Sequence, residues 1–307
     1  MKKQIIVAGS GFAGMWAALS AARAIALAGG GDDVGVTVVS PSPTLVIRPR
    51  LYEAVIEGMD PDLIQLFNAT GILHVKGWIT SIDPEAHRLE VVDELGAHTS
   101  LAYDKFVLAT GSCLFRPPVP GLSEHGFNVD QLEGAKELEA HLGSLASMPV
   151  SRTRNTVVIA GGGFTGIETA AEMPKRLRAI LEGDIGTRVV IIEQAPDIGP
   201  ELGPVPRPVI QEALSECGVE IITGTSVVAI TPDSVTTSDG TRIETNTVVW
   251  TAGARAHPLA GQIPGGHDKY GRVHGDAHLH APDAADIFVA GDVVNAATDD
   301  QGNVASM

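Results

Sequence analysis

An apolar run that passes straight into G-x-G-x-x-G and then into an alanine-rich stretch occurs twice in this chain. The first copy is Ile5-Ile6-Val7-Ala8-Gly9-Ser10-Gly11-Phe12-Ala13-Gly14, and the second is Val157-Val158-Ile159-Ala160-Gly161-Gly162-Gly163-Phe164-Thr165-Gly166. A continuous apolar run is the mark of a parallel strand buried on both faces. The glycines after it have separate tasks. The first permits a tight turn, the second lets backbone approach a pyrophosphate, and the third brings helix against strand. The helix that follows turns free N–H groups and its positive dipole end toward the same point. Helical stretches are expected from Met15 to Leu27 and from Ile167 to Leu181, each followed by a further apolar strand, Val34 to Val39 and Arg188 to Ile192. Together these are two βαβ openings.

A second pair of echoes closes each copy. Lys105-Phe106-Val107-Leu108-Ala109-Thr110-Gly111 is matched by Thr247-Val248-Val249-Trp250-Thr251-Ala252-Gly253. The run Asp286-Ile287-Phe288-Val289-Ala290-Gly291-Asp292 stands alone near the end. Proline- and glycine-rich linkers at 116–121 and 254–266 divide these blocks. The expected fold is therefore α/β: two Rossmann-like dinucleotide-binding domains of three-layer type, the second inserted into the first. The boundaries are 1–117 and 256–307 for the first domain and 118–255 for the second. A chain of 307 residues has room for two cores of this size.

Composition narrows the partners. The formal charge of −16 repels nucleic acid and anionic membrane surfaces. No apolar run of bilayer-spanning length occurs, and the opening apolar stretch is too short for an export signal, so the chain is read as cytoplasmic. The two cysteines, Cys113 and Cys217, are about a hundred residues apart and form neither a dithiol motif nor a thiolate metal site. Cys113 reads as a small buried thiol. His278 and His280 would share a strand face but have no third ligand nearby, so no metal site is assigned.

The pattern itself nominates nucleotide-contacting residues: Gly9, Gly11, Phe12, Ala13 and Gly14 in the first copy, and Gly161, Gly163, Phe164, Thr165 and Gly166 in the second. Ala109, Thr110 and Gly111, with Ala252 and Gly253, form the facing strand ends. Glu193 closes the second strand of copy two, where a carboxylate accepts from a ribose 2′-hydroxyl and repels a 2′-phosphate, favouring NADH over NADPH. Ser40 holds the corresponding place in copy one, with a hydroxyl where an acid is usual.

These motifs, together with Arg48-Pro49-Arg50-Leu51-Tyr52-Glu53, Ile167-Glu168 and Ala290-Gly291-Asp292, make the chain resemble the two-dinucleotide-binding-domain flavoproteins. Within that group it is similar to the type II NADH:quinone oxidoreductase family over essentially its whole length. The resemblance implies FAD in the first domain and NADH as co-substrate in the second. It implies that Arg48 and Pro49 lie in the loop beside the flavin, that Gly291-Asp292 binds the ribityl chain, and that Glu168, expected in the first turn of its helix, is the catalytic glutamate near the nicotinamide.

The implied reaction is hydride transfer from NADH C4 to flavin N5, followed by electron transfer to a second acceptor, which the resemblance suggests is a quinone. Such chemistry needs stacking and alignment rather than a protein nucleophile. Three other readings stay open: a diaphorase or flavin reductase serving a small molecule or redox protein, an oxygen-reacting flavoprotein, and a nucleotide-sensing protein without turnover. The family continues beyond Gly291-Asp292 with a flavin-facing helix, a quinone-contacting motif and a membrane-associating region. This sequence stops at Asn303-Val304-Ala305-Ser306-Met307, so it is either part of a longer protein, peripheral on the inner face of a membrane, or a short relative. A homodimer fits the family.

Overall fold

The computed structural model describes residues 2–183, 186–299, 302 and 304. Met1, Asp184, Ile185, Asp300, Gln301, Asn303 and 305–307 lie outside the described residues. The chain forms two compact units. One comprises Met1–Val46, Asp60–Cys113 and Ala254–Met307, the other Ile47–Met59 and Leu114–Gly253.

The first unit opens with β1 (Lys3–Ala8), α1 (Phe12–Leu27) and β2 (Val34–Ser40). It continues through α2 (Ile64–Thr70), β3 (Leu73–Lys76), β4 (Trp78–Asp83), β5 (Arg88–Val92), β6 (His98–Ala102) and β7 (Lys105–Leu108). In the second unit the chain makes β8 (Gly126–Phe127), α3 (Leu132–Leu145), β9 (Thr156–Ala160), α4 (Phe164–Ile180) and β10 (Arg188–Glu193). Then follow α5 (Arg207–Glu216), β11 (Val219–Thr223), β12 (Val227–Thr231), β13 (Ser234–Thr237), β14 (Arg242–Glu244) and β15 (Thr247–Trp250). The chain returns to the first unit with β16 (His280–Ala281) and β17 (Ala284–Val289).

In the first unit the strand order is β16-β17-β7-β1-β2-β3, parallel except for the β16–β17 hairpin. The apolar run of β1 serves two cores because successive side chains leave opposite faces of a strand. Val7 packs with Met15, Ala18 and Phe67 on the α1–α2 side. Ile6 and Ala8 pack with Phe106, Leu89 and Val91, over the antiparallel ribbon β4-β5-β6. Phe67 and Phe106 are fully buried, worth about 1.5–3 kcal/mol each in area removed from water.

The second unit repeats the plan with the order β11-β10-β9-β15-β8, all parallel. Val158, Ala160, Val190, Ile192, Val248 and Trp250 pack with Val235 and Ile243 of the antiparallel ribbon β12-β13-β14. Both helices begin earlier than the sequence pattern suggests, at Phe12 and Phe164, because Gly11 and Gly163 are already the extended N-cap residues. Glu168 therefore lies in the second turn of α4, not the first. Pro174 sits inside α4, which runs on to Ile180 with one backbone hydrogen bond fewer. The closing strands are shorter than their apolar runs: β7 and β15 stop at Leu108 and Trp250, and Ala109–Gly111 and Thr251–Gly253 leave the sheet as loops. His278 lies in a turn rather than on a strand with His280.

Candidate functional sites

Backbone hydrogen bonds put the two glycine loops in register with each other. Gly9 N–H donates to Val39 O at 2.9 Å, and Gly161 N–H donates to Ile192 O at 2.9 Å. Ala109 N–H donates to Ala8 O, as Thr251 N–H does to Ala160 O. Hence Ser40 corresponds to Glu193, Ser10 to Gly162, and Thr110 to Ala252.

Each loop admits no side chain where its own unit presses on it. A Cβ on Gly14 would stand 2.0 Å from Gly9 O, and one on Gly166 would stand 1.9 Å from Gly161 O. Gly9 and Gly161 have φ of +102° and +120°, a region that favours glycine, and close approaches to the facing strand ends besides. The middle glycines differ. A Cβ on Gly11 or Gly163 would meet nothing within 4 Å. Bare backbone facing open space at a helix N-terminus is the arrangement that receives a pyrophosphate.

In the first unit the loop is joined by two further segments. Gly291, with φ +76°, lies so close that a Cβ would be 2.9 Å from that of Ala13. Asp292 accepts from the Ser112 hydroxyl at 2.6 Å. Thr110 Oγ1 is buried without a partner among the described residues. A buried hydroxyl left unpaired is costly unless something else meets it. This set fits FAD: Gly9–Gly14 for the pyrophosphate, Gly291 and Asp292 for the polyol, and the Thr110 hydroxyl as an unused hydrogen-bonding group. Cys113 and Cys217 are half-buried and are not joined by a disulfide.

In the second unit Glu193 is buried, accepting from Gly162 N–H at 2.6 Å and Ala195 N–H at 2.7 Å. Its two oxygens keep lone pairs beyond these two bonds. The carboxylate borders a cavity of about 500 Å³ walled by Phe115, Val119, Val228 and Trp250, with Ala252 and Gly253 at the strand end. An apolar slot with one carboxylate at its edge suits an adenosine whose ribose is not phosphorylated.

Glu168 is exposed on α4, yet partial desolvation holds its carboxyl above the usual range. The Tyr52 phenol is also pushed up, first by burial and then by the charges of Glu168, Glu53 and Glu172. Segment 47–59 clusters with this unit. The buried Arg176 of α4 donates to Tyr52 O at 3.0 Å and pairs with Glu139. Arg48, preceding Pro49, is tied to Asp130 by its Nε to the carbonyl at 3.0 Å and by its Nη2 to Oδ1 at 2.5 Å. Arg50 pairs with Glu53. Spacing gives no sign of Asp130, Glu139 or Arg176 as partners of this loop, because they lie far from it in sequence.

The family model described as pyridine nucleotide-disulphide oxidoreductase matches residues 3–306. An NADH dehydrogenase-like protein of Mycobacterium tuberculosis is 44% identical over 301 residues, 97% of this chain and 74% of that protein. A demethylphylloquinone reductase of Synechocystis is 30% identical over 302 residues, 95% of this chain and 72% of that protein. Among solved structures, NDH2 from Plasmodium falciparum in complex with NADH superimposes with a TM-score of 0.80 at 17% identity. That match covers 96% of this chain but 64% of the other. Among the described residues no helix is long and apolar enough to cross a membrane.

Proposed function

The chain belongs to the pyridine nucleotide-disulphide oxidoreductase family, and from that premise we propose that it is a flavin-dependent NADH dehydrogenase whose electrons leave to a quinone. The observation that carries the reading is the pair of glycine loops, each open at its middle glycine, with a buried carboxylate at the nucleotide edge of the second only. Glu193 selects NADH, since a 2′-phosphate beside it would be repelled. The first unit holds FAD through Gly9–Gly14, Ala109–Gly111 and Gly291–Asp292. Bound there, FAD supplies a two-electron acceptor for hydride.

The protein's own contribution is alignment and electrostatics rather than covalent chemistry. Backbone N–H groups at the start of α4 meet the NADH pyrophosphate, and the wall of Phe115, Val119 and Trp250 excludes water from the adenosine. Glu168, with its raised pKa, holds a proton more readily than an ordinary surface glutamate. Support for a quinone as acceptor comes from the relative described as a demethylphylloquinone reductase.

An anaerobic absorbance spectrum of the purified chain, before and after NADH and separately NADPH, tests the core of this reading. Flavin bands that bleach with NADH and much more slowly with NADPH are expected. A colourless protein that takes up no FAD overturns it. Turnover with a water-soluble naphthoquinone is expected under the same conditions, and turnover with ferricyanide alone would remove the quinone assignment.

A further inference from the structure

The first unit lacks the carboxylate that Glu193 supplies in the second, and its place is taken by a directed chain of hydrogen bonds. Ser40, 3% exposed, has its Oγ 2.6 Å from Ser42 O and 2.9 Å from His74 Nε2. A carbonyl only accepts, so the single Ser40 proton goes to Ser42 O, and the bond to His74 must be donated by Nε2–H. That fixes the imidazole tautomer. Ser42 O is a node, because the Ser10 hydroxyl of the glycine loop lies 3.2 Å from it while donating to Thr44 O at 2.7 Å. The His74 ring is itself held flat against buried Phe67, with centroids 6.4 Å apart and planes 20° apart.

In the second unit a charged acceptor ties the post-strand turn to the glycine loop, with Glu193 bridging Ala195 N–H and Gly162 N–H. In the first unit the tie runs through hydroxyls and one imidazole, with the Ser42 carbonyl setting its direction and His74 supplying the donor at its far end. Burial lowers the His74 pKa, the Ser40 carbonyl and Asp62 raise it, and Lys76 lowers it.

We propose that His74 is a positioning residue for the adenosine end of the first nucleotide site: acting through Ser40 and Ser42, it holds the Ser10 glycine loop and the 40–44 turn in the shape that receives the adenosine ribose of FAD. The proposal rests on the first unit being the FAD site. It makes a distinction that a general packing role does not. FMN has no adenosine, so its affinity depends far less on His74 than that of FAD does.

The experiment titrates FAD and, separately, FMN into flavin-stripped protein and follows flavin fluorescence, for wild type, His74→Leu, His74→Gln and Ser40→Ala. His74→Leu loses one neutral hydrogen bond of the tie and Ser40→Ala loses two, so FAD binding weakens about tenfold in the first and at least as much in the second, with a much smaller loss for FMN. His74→Gln keeps a donor near the same point and recovers most of the loss. Ser40→Ala leaves the Phe67 stack intact, so it reads the tie even if His74→Leu fails to fold. FAD affinity within twofold of wild type in both variants, or equal losses for FAD and FMN, overturns the proposal. A wild-type chain that binds neither flavin overturns the FAD assignment itself.

Discussion

Glu168 shows how a single residue's environment differs from its place in a motif. The echo of the two glycine loops places it near a helix start, where a carboxylate gains from the dipole. In the structure it stands in the second turn of α4, past the reach of that effect, and partial desolvation is the cause that shifts it. A carboxyl whose pKa is raised in the folded state contributes stability below its unfolded value, and that contribution disappears as pH climbs through the folded value. Replacing Glu168 by Gln removes the charge that burial opposes. The melting temperature of Glu168→Gln should lie above wild type at pH 7.5 and converge with it near pH 4. A difference that does not change with pH would mean the shift is not expressed in the protein. Motif spacing places this residue, but the desolvation that shifts its ionisation comes from the packing around α4, which spacing does not show.

The glycine loops are the elements most fully legible in the sequence, since strand, turn and helix start are all written in contiguous residues. What contiguity leaves out is how each loop is tied down. The partners of Ser10 are the carbonyls of Ser42 and Thr44, and the partner of Ser40 is His74, all on other segments. Likewise 47–59 reads as part of the first domain by position, yet its bonds go to Arg176 and Asp130 of the second unit. Within one loop two of the glycines make a test. Gly166→Ala drives a Cβ to 1.9 Å from Gly161 O and should cost about 3 kcal/mol of stability. Gly163→Ala, at φ −76° with nothing within 4 Å, should leave stability unchanged or raise it by about 0.4–1 kcal/mol. It should nonetheless weaken NADH binding about tenfold or more, because the methyl stands where the pyrophosphate approaches. Denaturant melts paired with NADH titrations separate the two effects. Equal NADH affinity in Gly163→Ala and wild type would mean that the open face of this loop is not the phosphate seat.

At the scale of the whole chain, the proposed function has a protein of formal charge −16 receive two anionic dinucleotides. Neither Gly9–Gly14 nor Gly161–Gly166 contains a lysine or arginine, and no basic residue occupies the first turn of α1 or α4. Attraction for the phosphates is thus short-ranged, from backbone N–H groups and the helix dipole, which fades within a turn. The long-range field has the opposite sign. At low ionic strength the Debye length is about 30 Å at 0.01 M, so an approaching NADH feels much of the protein's net charge; at 0.15 M it shrinks to about 8 Å and leaves only the local dipoles. Association should accordingly speed up as salt rises across that range, with little change in the dissociation rate, since salt screens the distant repulsion more than the buried contacts. Stopped-flow mixing with NADH at several salt concentrations measures both rates. An association rate that falls with salt would require a positive field at the entrance, and would mean that side chains outside the glycine loop, rather than its backbone, draw the nucleotide in.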